Sequence, residues 1–210
     1  RGKEVDEFEF YQVSRPYVKN IIKNLSNTGA TGRDGISTEV LKKFRNVLTG
    51  PLTHIVNKSI FHGVYPTNWK LGIITPLPKG GDKKEMKNWR PIVINSASSK
   101  ILETVLNNQI STWMEEKKLY SKTQHAYRAV RSVTTALLEL DTIVKEKLNS
   151  GLSVAILTTD ISAGFNLVSK EILVPKMKRF GFGSNSCKLL RNYLTGRRTK
   201  VKVKNIKSTE

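Results

Sequence analysis

The chain has 210 residues, 38% of them hydrophobic, enough for one large or two small cores. Lys and Arg number 36 against 17 Asp and Glu, a formal net charge of +19 that far exceeds what solubility needs. That excess points to a polyanionic partner, nucleic acid ahead of a membrane surface, with a merely solvated basic surface as the plain alternative.

The single cysteine, Cys187, rules out an internal disulfide and a cysteine-based zinc cluster, and suits a reducing compartment. Three histidines without close metal-ligand spacing disfavour a histidine site, so any metal must be held by carboxylates. No apolar run is long enough to span a bilayer, and the first residues lack a signal-peptide core. The chain reads as soluble and not secreted, and its abrupt ends read as a segment of something longer.

In chain order, Pro16 opens a helix whose Val18, Ile21, Ile22 and Leu25 share one face. "SNTGATGRDGIS" is a loop by composition, and Ser37 caps a helix striped by Val40, Leu41, Phe44, Val47 and Leu48. "TGP" at 49–51 predicts a break and a new helix that stops at Gly63. The period then changes: "WKLGIITPLPK" and "NWRPIVIN" are β-branched runs around "GGDKKEMK", a hairpin with a long basic tip. Helix returns with Ile101, Leu102, Val105, Leu106, Ile110 and Trp113 on one face, and again with Val133, Leu137, Leu140, Val144 and Leu148. "GLSVAILTTD" predicts a strand after a glycine turn. A short helix closed by Gly181 follows, then "SCKLLRNYL" as helix and "RRTKVKVKN" as a strand alternating Lys with Val. Long helices with a few strands between them indicate α+β. Trp69, Trp89 and Trp113 are expected in the core, and His125 on the surface.

Asp160 ends the apolar run of "VAILTTD", where a charge is costly unless it is paired or holds a metal. A helix N-cap or turn acid explains it as well, since "DISAG" can open a helix. Phe165 reads as a core aromatic, and Lys79 and Arg90 as two of many solvated cations.

Three segments, "LPKGGDKKEMKNWRPIVI", "LYSKTQHAYRAVRSVTTAL" and "VAILTTDISAGFNLV", resemble, in that order, the finger and palm motifs of reverse transcriptases of non-LTR (LINE-type, jockey-like) retrotransposons. "GATGRDGISTEVLKK" and "PTNWKLGIITPLPK" resemble the same family's upstream region, so the likeness covers nearly the whole chain from about residue 20. It implies helix-rich polymerase fingers with a β-hairpin and the beginning of a palm sheet, an incomplete right hand. The implied division is an N-terminal extension at 1–19, fingers at 20–150 and the start of a palm at 151–210.

By the same resemblance Asp160 is the first catalytic aspartate, with the metal site at Asp160 and Ile161. Mg²⁺, two ions in the complete site, favours such hard oxygen ligands. Lys79 and Arg90 would grip the incoming triphosphate, with Ala163 and Gly164 offering close backbone N–H groups and Phe165 a steric gate against a ribose 2′-OH. Gln124, Tyr127 and Arg128 in "QHAYRAVRS" would lie at the template strand, where Tyr127 packing inward is an equal possibility.

The sequence departs from the family at Ala126, at Gly164 in place of alanine, and at Asn166 in place of an aspartate. The family's downstream paired aspartates do not occur before Glu210, so the chain alone is expected to be inactive although its parent is an RNA-directed DNA polymerase. The implied partners are RNA template, DNA primer, RNA–DNA hybrid and deoxynucleoside triphosphates, with no membrane, in a ribonucleoprotein of cytoplasm and nucleus. The rival reading is a non-catalytic basic nucleic-acid-binding remnant; a weaker one is a relative of RNA-dependent RNA polymerases or intron maturases.

Overall fold

A computed structural model of the chain describes residues 7–161, 164–203 and 206–208, with the backbone alone at 165, 166, 206 and 207. The chain packs as two compact units, Arg1–Gln109 with Lys170–Glu210, and Ile110–Ser169. This division by packing differs from the expected one at 19 and 150, which concerns polymerase subdomains.

In the first unit, α1 (Arg15–Asn24) starts where Ser14 Oγ accepts the Tyr17 N–H, and it buries Val18, Ile21 and Ile22. Ser37 caps α2 (Thr38–Lys43) in the same way, accepting from the Val40 N–H. The chain breaks at Phe44, and α3 (Arg45–His62) then runs straight through Pro51 to the left-handed Gly63. The predicted break at 49–51 is therefore wrong. The residue before a proline avoids helical backbone because of its Cβ, and Gly50 has none. Of the expected stripe at 40–48 only Leu41 is buried, while Phe44 is 50% and Val47 74% exposed.

The hairpin is present. β1 (Leu71–Pro78) pairs antiparallel with β2 (Trp89–Ile94), Ile73 opposite Ile94 and Pro78 opposite Trp89. β3 (Arg198–Val203) lies parallel to β1 on its other side and pairs antiparallel with β4 (Ile206–Lys207), giving the order β2-β1-β3-β4. The first part of α4 (Ser99–Glu116) buries Ile101, Leu102, Val105 and Leu106 in this unit, whose remaining helices are α6 (Lys170–Arg179) and α7 (Ser184–Leu194). Each fully buried Leu or Ile contributes roughly 1.5–3 kcal/mol. Helices around a small sheet make the fold α+β. Trp69 is in the core as expected, whereas Trp89 and Trp113 are only half-buried.

Two glycine-and-amide devices hold the loops of this unit. Gly32 lies so close to the end of β2 that a Cβ there would sit 2.6 Å from the Ser96 nitrogen. Asp34 fixes the same loop, its carboxylate accepting from the Ser96 hydroxyl and the Ile36 N–H. Residues 8–13 are extended and satisfied largely by side chains, without a full strand partner. Phe8 exchanges backbone bonds with Gly181 and Gly183 at 2.7 and 2.9 Å. The Phe10 N–H donates to Ser186 Oγ, and Gln109 and Asn57 each make a two-way amide pair, with Tyr11 and Val13 respectively. Glu9 caps α7, accepting from the N–H groups of Asn185 and Ser186.

The second unit comprises the end of α4, the loop 117–131, α5 (Val133–Asn149), residues 150–161 and a 3₁₀ turn at Gly164–Leu167. No described residue of it is buried. α5 is started by a capping box, Ser132 Oγ accepting the Thr135 N–H and Thr135 Oγ1 accepting the Ser132 N–H. Its expected core face is exposed, Val133 by 76% and Leu137 by 59%. The strand expected at "GLSVAILTTD" does not form: residues 152–161 join no ladder among the described residues, and Leu157 is 90% exposed. A strand needs a neighbour for its N–H and C=O groups, and apolar sequence alone supplies none.

Candidate nucleotide and nucleic-acid site

Lys79 and Arg90 lie at the hairpin of the first unit in different states. Lys79 is turned back on the hairpin tip, its Nζ donating to the Lys87 carbonyl at 3.2 Å and its N–H to the Asn88 carbonyl at 2.7 Å. Arg90, opposite Leu77 in the ladder, is exposed and has no ion pair or hydrogen-bonded side-chain partner among the described residues. A rigid strand thus presents a free guanidinium, the group best shaped for a bidentate phosphate contact.

The second unit carries the other expected residues. Arg128 is engaged within the protein: Nε and Nη2 donate to the two Glu115 carboxylate oxygens at 2.9 and 2.7 Å. Nη1 donates to the carbonyls of Ser121 and Gln124, and the guanidinium lies 4.9 Å from the Tyr120 ring centroid. The Arg128 hydrogen bond and charge hold the Glu115 carboxyl below its ordinary range. The arginine expected at the template strand is therefore bonded to Glu115 and to its own loop in this structure. Gln124 bonds locally, Nε2 donating to the Ala126 carbonyl. Tyr127 is not packed inward: it is 81% exposed with φ of 58°. Val130, fully exposed at φ 61°, sits in the same sparsely populated region, at a cost of about 1–3 kcal/mol for such a residue.

His125 is a correction. Only 11% of its side chain is exposed, with Nδ1 2.8 Å from Thr135 Oγ1 and Nε2 2.8 Å from Glu139 Oε2. Arg131 approaches the same carboxylate at 3.7 Å. Loop 121–131 is thus tied at one side to α4 through Arg128 and at the other to α5 through His125.

Asp160 and Ile161 are both exposed, the Ile161 side chain by 77%. Ala163 and the Phe165 side chain lie outside the described residues. At Gly164 an added Cβ would meet Ile161 at 3.5 Å, ordinary contact, so the geometry does not demand glycine there. Asp160 supplies one hard oxygen donor of the kind Mg²⁺ prefers. Among the described residues no group of three or more His, Cys, Asp or Glu could hold a metal ion, so these residues by themselves do not compose a two-ion site.

Sequence reasoning missed a buried polar cluster beside β1. Lys70 is 8% exposed and donates to Asn192 Oδ1 at 3.1 Å, the oxygen that also accepts the Tyr65 N–H. Burial, then the charge of Arg197, pulls the Lys70 ammonium below its ordinary range. The Tyr65 hydroxyl donates to Glu103 at 2.8 Å, and burial followed by the Glu103 charge pushes it far up. No motif marks these residues, which meet across up to 127 positions of chain.

The family model described as reverse transcriptase (RNA-dependent DNA polymerase) matches residues 78–210, from the hairpin onward. The Pol polyprotein from type-1 retrotransposable element R2 of Popillia japonica is 25% identical over 80% of this chain and 22% of its own length. The probable RNA-directed DNA polymerase from transposon X-element of Drosophila melanogaster is 28% identical over 92% of this chain and 21% of its own length. That from mobile element jockey of the same fly is 24% identical over 91% and 21%. The chain thus spans about a fifth of the length of the curated relatives it matches. Among the described residues no helix is long and apolar enough to cross a membrane.

Proposed function

Since this chain belongs to the reverse transcriptase (RNA-dependent DNA polymerase) family, we propose that it forms the fingers and the opening of the palm in the polymerase of a non-LTR retrotransposon. The observation that carries this reading is one match, from residue 78 to 210, that takes in the hairpin tip and β2, the Gln124–Arg128 loop and Asp160 together. The parent reaction is RNA-templated addition of deoxynucleotides to a primer 3′-OH. Nucleotidyl transfer in this family generally uses divalent metal, and Asp160 with Ile161 is the place in this chain that would hold it, Mg²⁺ in our reading.

Within that frame the residues divide by what they touch. Arg90, unpaired on a rigid ladder, binds the triphosphate; Lys79 stiffens the tip and reaches phosphate only by giving up the Lys87 carbonyl. Tyr127, held out by a backbone that Arg128 fixes, offers a ring to a template base. Phe165 would gate the nucleotide sugar and Ala163 and Gly164 would line its phosphates. The net charge of +19 supports binding of RNA and RNA–DNA hybrid; a ribonucleoprotein of cytoplasm and nucleus is the setting we propose for it.

Primer extension by the full-length polymerase on an RNA template tests the assignment. Asp160→Asn abolishes extension while hybrid binding persists, and Arg90→Ala raises KM for deoxynucleotides by about tenfold, the scale of one charge-assisted phosphate contact. Extension by Asp160→Asn at the wild-type rate would refute the metal role. Asn166, standing where the family carries an aspartate, favours a second reading as a basic binding module without chemistry. Hybrid binding with no extension by the unaltered protein would select it.

A further inference from the structure

The amino-proximal part of the first unit, residues 12–61, lies outside the family match that begins at residue 78, and it contains a cleft of about 470 Å³. One wall is a stripe of α3, where His54, Lys58 and Phe61 follow at helical spacing; the other is the extended chain at Gln12 and Val13 with Arg15, the first residue of α1. Three groups able to carry positive charge, Arg15, His54 and Lys58, line it without a carboxylate. All three are exposed, and none has an ion pair or hydrogen-bonded side-chain partner among the described residues.

The cleft is built. Asn57 bonds both the N–H and the carbonyl of Val13, at 2.9 and 3.0 Å, which locks the two walls in register. Arg15 lies over Gly50, its guanidinium carbon 3.9 Å from where a Cβ on that glycine would sit, which places the guanidinium along the floor at ordinary contact distance. At the rim Phe61 is 65% exposed and meets the His62 ring edge-on, centroids 4.9 Å apart. Unneutralised cations in a concave, preformed site attract an anion with fork and point-charge donors. An exposed aromatic beside them adds a face on which a base can stack, the pairing by which proteins hold single strands.

We infer that this cleft binds the phosphate backbone of single-stranded nucleic acid, with a base on Phe61. This rests on the reading of the chain as part of a nucleic-acid polymerase and assigns a role to residues other than Arg90, Tyr127 and Asp160.

The test is fluorescence anisotropy of the 210-residue chain with a labelled single-stranded RNA of fifteen nucleotides, over a series of KCl concentrations. Arg15→Gln/Lys58→Gln is expected to weaken binding about tenfold and to flatten the log–log salt slope by about 0.7 per lost phosphate contact. Phe61→Ala weakens binding about tenfold at unchanged slope, since stacking releases no counterions. Arg15→Lys/Lys58→Arg, which keeps the charge, restores the slope. If the unaltered chain binds RNA steeply with salt and the Gln pair matches it, the cleft is refuted and the polymerase reading stands. If the unaltered chain does not bind RNA, the polymerase reading itself falls. Where the Gln pair fails to fold, photocrosslinking of bromouridine RNA to the unaltered chain decides: crosslinks within 58–62 support the site, and their absence there overturns it. Binding to anionic phospholipid vesicles in preference to RNA, lost in the Gln pair, also overturns it.

Discussion

Leu102 and Leu137 are the same side chain in two helices of nearly equal length and similar apolar period, yet Leu102 is wholly buried and Leu137 is 59% exposed. The period tells which face of a helix gains from leaving water; it does not supply the surface that receives it. The first unit has that surface, because α1, α3, the start of α4, α7 and the sheet meet around one core. The second unit has helices and, among its described residues, no buried side chain. Its order comes from local hydrogen bonds and charge: the Ser132–Thr135 capping box, the Arg128–Glu115 fork, the His125–Glu139 contact and the Lys145–Asp141 pair at 2.7 Å. Such contacts fix a loop's shape at little gain in global stability.

The sharpest break of this contrast is a pair of truncations. Leu102→Ala is expected to cost about 3 kcal/mol in urea unfolding, the usual price of an emptied core site, while Leu137→Ala stays within about 0.5 kcal/mol. Equal losses would mean that α5 is covered in solution. Next in size, Arg128→Lys keeps the charge and removes the fork, and should expose loop 117–131 to protease while the first unit stays intact. Acid does the same. Glu115 is held below its usual 4.5 in the folded chain, so its stabilising contribution is complete above that value and disappears as pH falls through the depressed one. The Arg128 Nε–H chemical shift should move to the value of a free arginine over that acidic interval; an unchanged shift would remove the fork from the account. The smallest effect is Gly164→Ala, where an ordinary 3.5 Å contact awaits the new methyl. It should slow cleavage of the Gly164–Leu167 turn by about twofold to fivefold, equivalent to roughly 0.4–1 kcal/mol of chain entropy.

What could be read from sequence was what local physics decides. Ser37 and Gly63 mark helix ends because a hydroxyl or a bare Cα answers an orphan backbone group within four residues, and Pro16 marks a start because its φ is already helical. The hairpin followed from two β-branched runs about a basic tip, and β3 from its Lys–Val alternation. Pro51 misled because the permissive effect of Gly50 acts one residue earlier. The run at 152–161 misled because a strand belongs to a sheet, and its partner is not encoded in its own residues. At the site, Asp160 and Arg90 were nameable from their motifs. The difference between a free Arg90 and a bound Arg128 was not, since it depends on Glu115 thirteen positions away. His125 and Lys70 were invisible for the same reason, both defined by partners that only folding brings near.

The lacing of residues 8–13 has a consequence for how the protein is made. Its bonds reach Asn57, Gln109 and Ser186, separated in sequence by 44, 98 and 176 residues. On a ribosome adding roughly 5–20 residues per second, Phe10 leaves the tunnel about 9–35 seconds before Ser186 leaves it to receive its N–H. This stretch is made well before the last of its partners and is placed only after them. During that interval Phe8 and Phe10, both buried in the finished molecule, are without the Phe182 ring and the α7 turn that cover them. A nascent chain stalled before residue 182 should bind an apolar-recognising chaperone through its amino-proximal aromatics and release it once α7 emerges.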